Sequence, residues 1–136
     1  MTTTIAKHFT FDAAHWLPSV PEHHKCHRMH GHTYRVELRF TGRIDAAGFC
    51  GGIDYSDIGA VWSRIHERVD HRVLNEIAGL EIPTTEVLAW WIAREFVDRC
   101  GMEHRKLAAR LSGVRVSESS TTWCDVSISQ AWRIRR

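Results

Sequence analysis

Apolar and polar positions alternate with a period of two in two early segments of the chain. Thr33 to Thr41 sets Tyr34, Val36, Leu38 and Phe40 on one face and Arg35, Glu37 and Arg39 on the other. That is the pattern of an antiparallel strand with one buried face. Lys7 to Ala14 reads as an earlier strand, with Phe9 and Phe11 on one face and His15 at its end. Leu17 to Lys25 contains Pro18 and Pro21, and proline lacks the N–H that a ladder requires, so this stretch reads as a loop.

Beyond the glycine-rich connection from Gly42 to Gly52 the period becomes helical. Asp54 or Ser56 can cap a helix ending near Val69, with Ile58, Val61, Trp62, Ile65 and Val69 as its apolar stripe. Pro83-Thr84-Thr85-Glu86 opens a second helix, in which Val87, Leu88, Trp91, Ile92 and Phe96 recur and which Gly101 ends. Gly113 to Ser117 and Cys124 to Arg133 read as two further strands, the latter alternating Val126, Ile128 and Gln130. The order ββααββ predicts one α+β domain over residues 1–136, with antiparallel hairpins, helices on one face and the tryptophans in the core. The edges of so small an open sheet invite closure by neighbouring subunits.

The chain has 136 residues, 43% of them hydrophobic, enough to bury a core. A formal net charge of +2 gives no bulk attraction to nucleic acid or membrane, and the tail residues Arg133, Arg135 and Arg136 read as solvated. No apolar run approaches the roughly 18 to 20 residues needed to span a bilayer. Met1-Thr2-Thr3-Thr4 lacks the regions of a signal peptide. The expected location is the cytoplasm. Cys26, Cys50, Cys100 and Cys124 show no paired spacing, so neither a disulfide framework nor a four-thiolate zinc site is expected.

Histidine changes the picture. Six of the ten histidines fall between His15 and His32. In His30-Gly31-His32 the two imidazoles sit at i and i+2, and on a strand they project from one face. His15 joins them if the two strands pair as a hairpin, giving three neutral nitrogen donors of the kind that hold catalytic zinc with one position open. His23, His24 and His27 read as loop surface or supporting groups. Two readings of Cys26, four residues before His30, stay open. It is either a fourth ligand closing a structural zinc site, or a thiol that ionises beside Lys25, His27 and the metal and serves as base or nucleophile. Asp70-His71 can supply a second proton carrier if a turn or a subunit interface brings the pair together. Glu118, at the end of a predicted strand, is unremarkable alone.

Five ordered stretches resemble a known family: Phe11-Asp12-Ala13-Ala14-His15, Cys26-His27-Arg28-Met29-His30-Gly31-His32, Val69-Asp70-His71, Pro83-Thr84-Thr85-Glu86 and Val116-Ser117-Glu118. The chain is identified as resembling the 6-pyruvoyl-tetrahydropterin synthase superfamily, in its bacterial 6-carboxy-tetrahydropterin synthase branch. The four-residue step from Cys26 to His30 is similar to that branch, as are Pro21 to Cys26 and Leu74 to Glu81. His27 stands where that branch would have a small residue. The resemblance implies a tunnelling fold (T-fold), in which protomers join edge to edge into a barrel and stack, usually as a hexamer with active sites at subunit interfaces. It implies zinc held by His15, His30 and His32, Cys26 as the proton-abstracting base, and Asp70 and His71 completing a triad partly across subunits. Glu118 would anchor the pterin, with Thr84, Thr85 and Glu86 lining the pocket from a neighbour, and Lys25 and Arg28 are candidates for phosphate contacts. The implied reaction converts 7,8-dihydroneopterin triphosphate to 6-carboxy-5,6,7,8-tetrahydropterin with release of acetaldehyde and triphosphate, for deazapurine or queuosine biosynthesis. The alternatives are 6-pyruvoyl-tetrahydropterin synthesis and a non-catalytic zinc domain.

Overall fold

A computed structural model of the chain describes residues 1–134; Arg135 and Arg136 of the basic tail lie outside the described residues. Four antiparallel strands stand in the order β1-β2-β3-β4: β1 Thr2–His15, β2 His30–Arg43, β3 Leu111–Ser117 and β4 Cys124–Ser127. Both early strands are longer than their alternating cores. β1 and β2 pair over their whole length, from Thr2 opposite Arg43 to His15 opposite His30.

One face of this sheet is apolar. Phe11, Tyr34, Val36, Leu38, Phe40, Val114 and Val116 are buried there against α1 Tyr55–Val69 and α2 Thr85–Cys100. The stripes are those read from the helical period, with Ile58, Val61, Ile65, Leu88, Ile92 and Phe96 fully enclosed. Asp54 caps α1, its carboxylate accepting from the Ser56 N–H, and Thr84 caps α2 by accepting from the Val87 N–H. Gly101 ends α2 at a φ of 58°, a left-handed conformation open to glycine.

The last third departs from expectation. The alternation after Cys124 carries a strand only to Ser127, and Gln130–Ile134 is a short helix, α4, rather than the continuation of a strand to Arg133. The Ser129 hydroxyl accepts from the Trp132 N–H, starting the helical turn, and Trp132 packs on Trp90 with ring centroids 5.8 Å apart. Another helix, α3 Arg105–Arg110, was not expected; its run of Lys, Leu and Ala favours helix, and its single buried residue, Leu107, leaves no apolar stripe to read. The tryptophans divide. Trp62 and Trp91 are buried, whereas Trp123 is exposed beneath the Arg115 guanidinium, 5.1 Å from its ring.

Phe40 is enclosed between the sheet and Phe96, at a centroid distance of 5.6 Å. Phe40→Ala is expected to lower unfolding free energy by about 3–5 kcal/mol, read from urea denaturation; a loss below about 1 kcal/mol would contradict this core.

Candidate metal centre and substrate cavity

Directly paired residues share a face of a sheet, as do residues two apart on one strand. With His15 opposite His30, and Ala13 opposite His32, the register brings His15, His30 and His32 together at the end of the apolar face. Ring centroids lie 4.6 Å apart for His15 and His30, 5.1 Å for His15 and His32, and 4.9 Å for His30 and His32. One ring nitrogen from each lies within 4.8 Å of the others, and Cys26 is not part of this group.

Hydrogen bonds determine which nitrogens face inward. The His15 Nδ1–H donates to the Pro83 carbonyl at 2.8 Å, and the His30 Nδ1–H donates to the Arg28 carbonyl at 2.7 Å. A carbonyl only accepts, so both Nδ1 atoms carry the proton and both Nε2 atoms present a lone pair. His15 is 1% exposed, and its Nε2 is buried with no hydrogen-bond partner among the described residues. Such an orphaned acceptor costs about 1 to 3 kcal/mol, and a cation bound there removes the penalty. Burial pushes His15 below the ordinary histidine range; the Pro83 bond and Glu118 pull upward, and His30 and His32 push down. The neutral imidazole so favoured is the form that binds metal, and the donor set fits a zinc-like ion.

Glu118, just past β3, places its Oε2 3.8 Å from His15 Nε2 and 3.7 Å from His32 Nε2. Tyr34 lies buried beneath, its ring centroid 5.9 Å from that of His15 and 5.6 Å from that of His32. Burial, with Glu118 nearby, holds its phenol far above the usual range, so it stays protonated. A cavity of about 540 Å³ opens onto this group and is lined by Lys25, Cys26, Arg28, His30, His32 and Glu118 among others.

Cys26 sits in a 3₁₀ turn, Lys25–His27. Its N–H donates to His24 Nδ1 at 3.0 Å, and its carbonyl accepts from the Leu17 N–H at 2.8 Å. His27 serves the loop itself: its Nδ1–H donates to the Val20 carbonyl at 3.2 Å, and its ring meets Trp16 edge to face at 5.3 Å. Asn75, which sequence reasoning gave no role, clasps the Trp16 backbone. Its amide oxygen accepts from the Trp16 N–H at 3.0 Å and its NH₂ donates to the Trp16 carbonyl at 2.7 Å. That side chain extends the pairing begun by the Ala14 N–H donating to the Arg72 carbonyl at 2.9 Å. The only signal in the sequence was the family likeness of Leu74-Asn75-Glu76.

Asp70 and His71 do come together. His71 has a φ of 56°, rare for a residue with a Cβ, and its N–H donates to the Asp12 carbonyl at 2.6 Å. This turn folds the Asp70 carboxylate onto the His71 Nδ1–H at 2.7 Å, while the Asp12 N–H donates to the other oxygen at 3.0 Å. The Asp12 N–H and then His71 hold Asp70 below the usual carboxylate range, and the hydrogen bond to Asp70 raises His71. His71 opens on a cavity of about 550 Å³ that includes His32 but not Cys26. Within one chain, His71 and the thiol line different cavities that share His32. Thr84, Thr85 and Glu86 stand at the start of α2, where the Thr85 hydroxyl donates to Glu86 at 2.6 Å, and none of the three lines the Cys26 cavity.

The arrangement offers nitrogen donors for a metal, a thiol in the same cavity and an oriented imidazole close by. Among solved structures, 6-pyruvoyl tetrahydropterin synthase of Caenorhabditis elegans superimposes with a TM-score of 0.82 at 20% identity, covering 95% of this chain and 97% of that one. The fold is thus the α+β T-fold. In sequence, the family model described as 6-pyruvoyl tetrahydropterin synthase matches residues 4–128. A protein of Archaeoglobus fulgidus is 32% identical over 117 residues, 86% of this chain and 89% of that one. The 6-carboxy-5,6,7,8-tetrahydropterin synthase of Synechocystis sp. is 39% identical over 94 residues, 65% of this chain and 70% of the relative. The chain belongs to the 6-pyruvoyl tetrahydropterin synthase family, a family of enzymes. Among the described residues no helix is long and apolar enough to cross a membrane.

The Asp70–His71 pair makes a direct prediction. Protonated His71 is favoured by the neighbouring carboxylate, so His71 should titrate above the ordinary histidine value of about 6.5. In Asp70→Asn the midpoint should fall back toward that value. Imidazole proton shifts followed by NMR against pH read both, and an unchanged midpoint in the variant would contradict the pairing.

Proposed function

We propose that the chain is a zinc-dependent 6-carboxy-tetrahydropterin synthase. It takes 7,8-dihydroneopterin triphosphate and water to 6-carboxy-5,6,7,8-tetrahydropterin, acetaldehyde and triphosphate, for deazapurine or queuosine biosynthesis. It acts in the cytoplasm as a homo-oligomer, a hexamer with active sites at subunit interfaces. The observation that carries this reading is one cavity bringing Cys26 beside a three-histidine cluster whose most buried nitrogen has no partner. The name of the Synechocystis relative, and the four-residue step from Cys26 to His30, favour the carboxy product over the pyruvoyl one.

His15, His30 and His32 would hold zinc, which when bound would supply Lewis acidity toward the oxygens of the substrate side chain. Cys26 removes the carbon-bound proton. Lys25 and Arg28, in the same cavity, attract the anionic substrate. His71, oriented by Asp70, holds and returns protons. Because one chain keeps this pair out of the Cys26 cavity, a neighbouring subunit supplies it, and β1 and β4 are the sheet edges open to association. Thr84, Thr85 and Glu86 of a neighbour complete the ring pocket.

Glu118 anchors the pterin, its carboxylate accepting from the ring N3–H and the 2-amino group; its Oε2, 3.7 Å from His32 Nε2, sets that anchor beside the histidines.

Product analysis after incubation with 7,8-dihydroneopterin triphosphate tests the reaction: acetaldehyde and the 6-carboxy pterin are expected, whereas a pyruvoyl product without acetaldehyde assigns the other synthase. Cys26→Ala should retain zinc and lose turnover by about 10² to 10⁴-fold; loss of zinc would instead make Cys26 a ligand. Glu118→Gln should weaken pterin binding about tenfold, by leaving a donor facing the donors of the ring, and change the affinity for analogues lacking the 2-amino group much less. Equal pterin affinity in variant and parent would make Glu118 a strand-end charge.

A further inference from the structure

The face of the sheet turned away from the helices is polar, and its charges are arranged in rows. His8, Glu37, Arg115 and Asp125 are successive register partners across β1, β2, β3 and β4. In this row His8 meets Glu37 at 2.7 Å and Arg115 meets Asp125 at 3.4 Å, with Arg39 bridging Glu37 and Asp125. Every charge in the row has an opposite neighbour. The next row, toward the histidines, is Thr10, Arg35 and Ser117. It holds a cation between two hydroxyl residues and no anion. Arg35 is exposed, and its side chain makes no ion pair or hydrogen bond among the described residues.

Arg35 and its two row partners line a cavity of about 590 Å³, together with Ser120, His32 and Glu118. His32 and Glu118 also line the cavity that holds Cys26, so the two cavities meet at the metal centre. Glu118 is directed to the histidines at 3.7 and 3.8 Å, which leaves the guanidinium and the hydroxyls as the polar groups of the far side. A planar guanidinium flanked by hydroxyls is the donor set that recognises phosphoryl oxygens.

We propose that the row Thr10, Arg35, Ser117 is the subsite for the phosphate tail of the substrate, on the polar face of the sheet and across the metal centre from Cys26. The assignment rests on the pterin triphosphate reading above and places the leaving phosphates on the side away from the thiol. Lys25 and Arg28 then belong to the mouth of the Cys26 cavity and not to the tail.

Fluorescence titration of the zinc-loaded protein with neopterin and with neopterin triphosphate isolates the tail, because the ratio of the two Kd values is the phosphate contribution. The parent should bind the triphosphate more tightly. Arg35→Gln should reduce that ratio about tenfold or more, with neopterin affinity and thermal midpoint unchanged and a shallower salt dependence, while Arg35→Lys retains part of it. An unchanged ratio in Arg35→Gln overturns the subsite, most clearly if Lys25→Gln with Arg28→Gln lowers it instead. Equal weakening of both ligands assigns Arg35 to the fold and also overturns it. A parent that binds neopterin alone, with no gain from the phosphates, overturns the subsite and leaves the pterin reading standing. A parent that binds neither ligand overturns both.

Discussion

The pairing of β1 with β2 is the constraint on which the rest of this protein depends. Side chains alternate between faces along a strand, so a slip of one residue would turn His30 and His32 away from His15 and expose Tyr34, Val36, Leu38 and Phe40. The apolar face therefore selects the register, and the register builds the three-histidine cluster. His15 and Phe11 lie on the same face of β1, as do His32 and Tyr34 on β2. The core continues to the end of the sheet, and its last residues are histidines in place of hydrocarbon.

The same register sets the electrostatics on both faces. On the helix side, burial favours the neutral imidazole of His15, and the carbonyl of Pro83, by holding the Nδ1–H, turns the Nε2 lone pair inward. Pro83 stands at the entry to α2, so the start of that helix and the orientation of a ligand are one feature. On the polar side, the alternating row from His8 to Asp125 neutralises itself and leaves Arg35 as the cation nearest the metal end.

Much of this was legible in the sequence. Strict alternation in β2 and helical stripes in α1 and α2 identified the main elements, and the spacing of His30 and His32 identified the cluster. The reading failed where local pattern and tertiary contact diverge. After Cys124 the alternation outran the strand, because the Ser129 cap and the Trp132 contact with Trp90 begin a helix that no periodicity announces. Asp70 and His71 were visible as a pair that a turn could join, but not the turn itself, a left-handed backbone at His71 that residue identity does not signal. Asn75 acts through a long-range backbone contact, and the place of Arg35 between Thr10 and Ser117 follows from register; a single sequence displays neither. His27, a surface or supporting group by sequence, proved to be a packing residue of the Cys26 loop.

Three histidines, and not the neighbouring thiol, form the candidate metal centre. X-ray absorption at the zinc edge of the metal-loaded protein tests it directly. Imidazole nitrogens at about 2.0 to 2.1 Å, a light fourth donor and no sulfur shell are expected. Scattering from sulfur at about 2.3 Å would put Cys26 on the metal, and the site would then be a closed structural one.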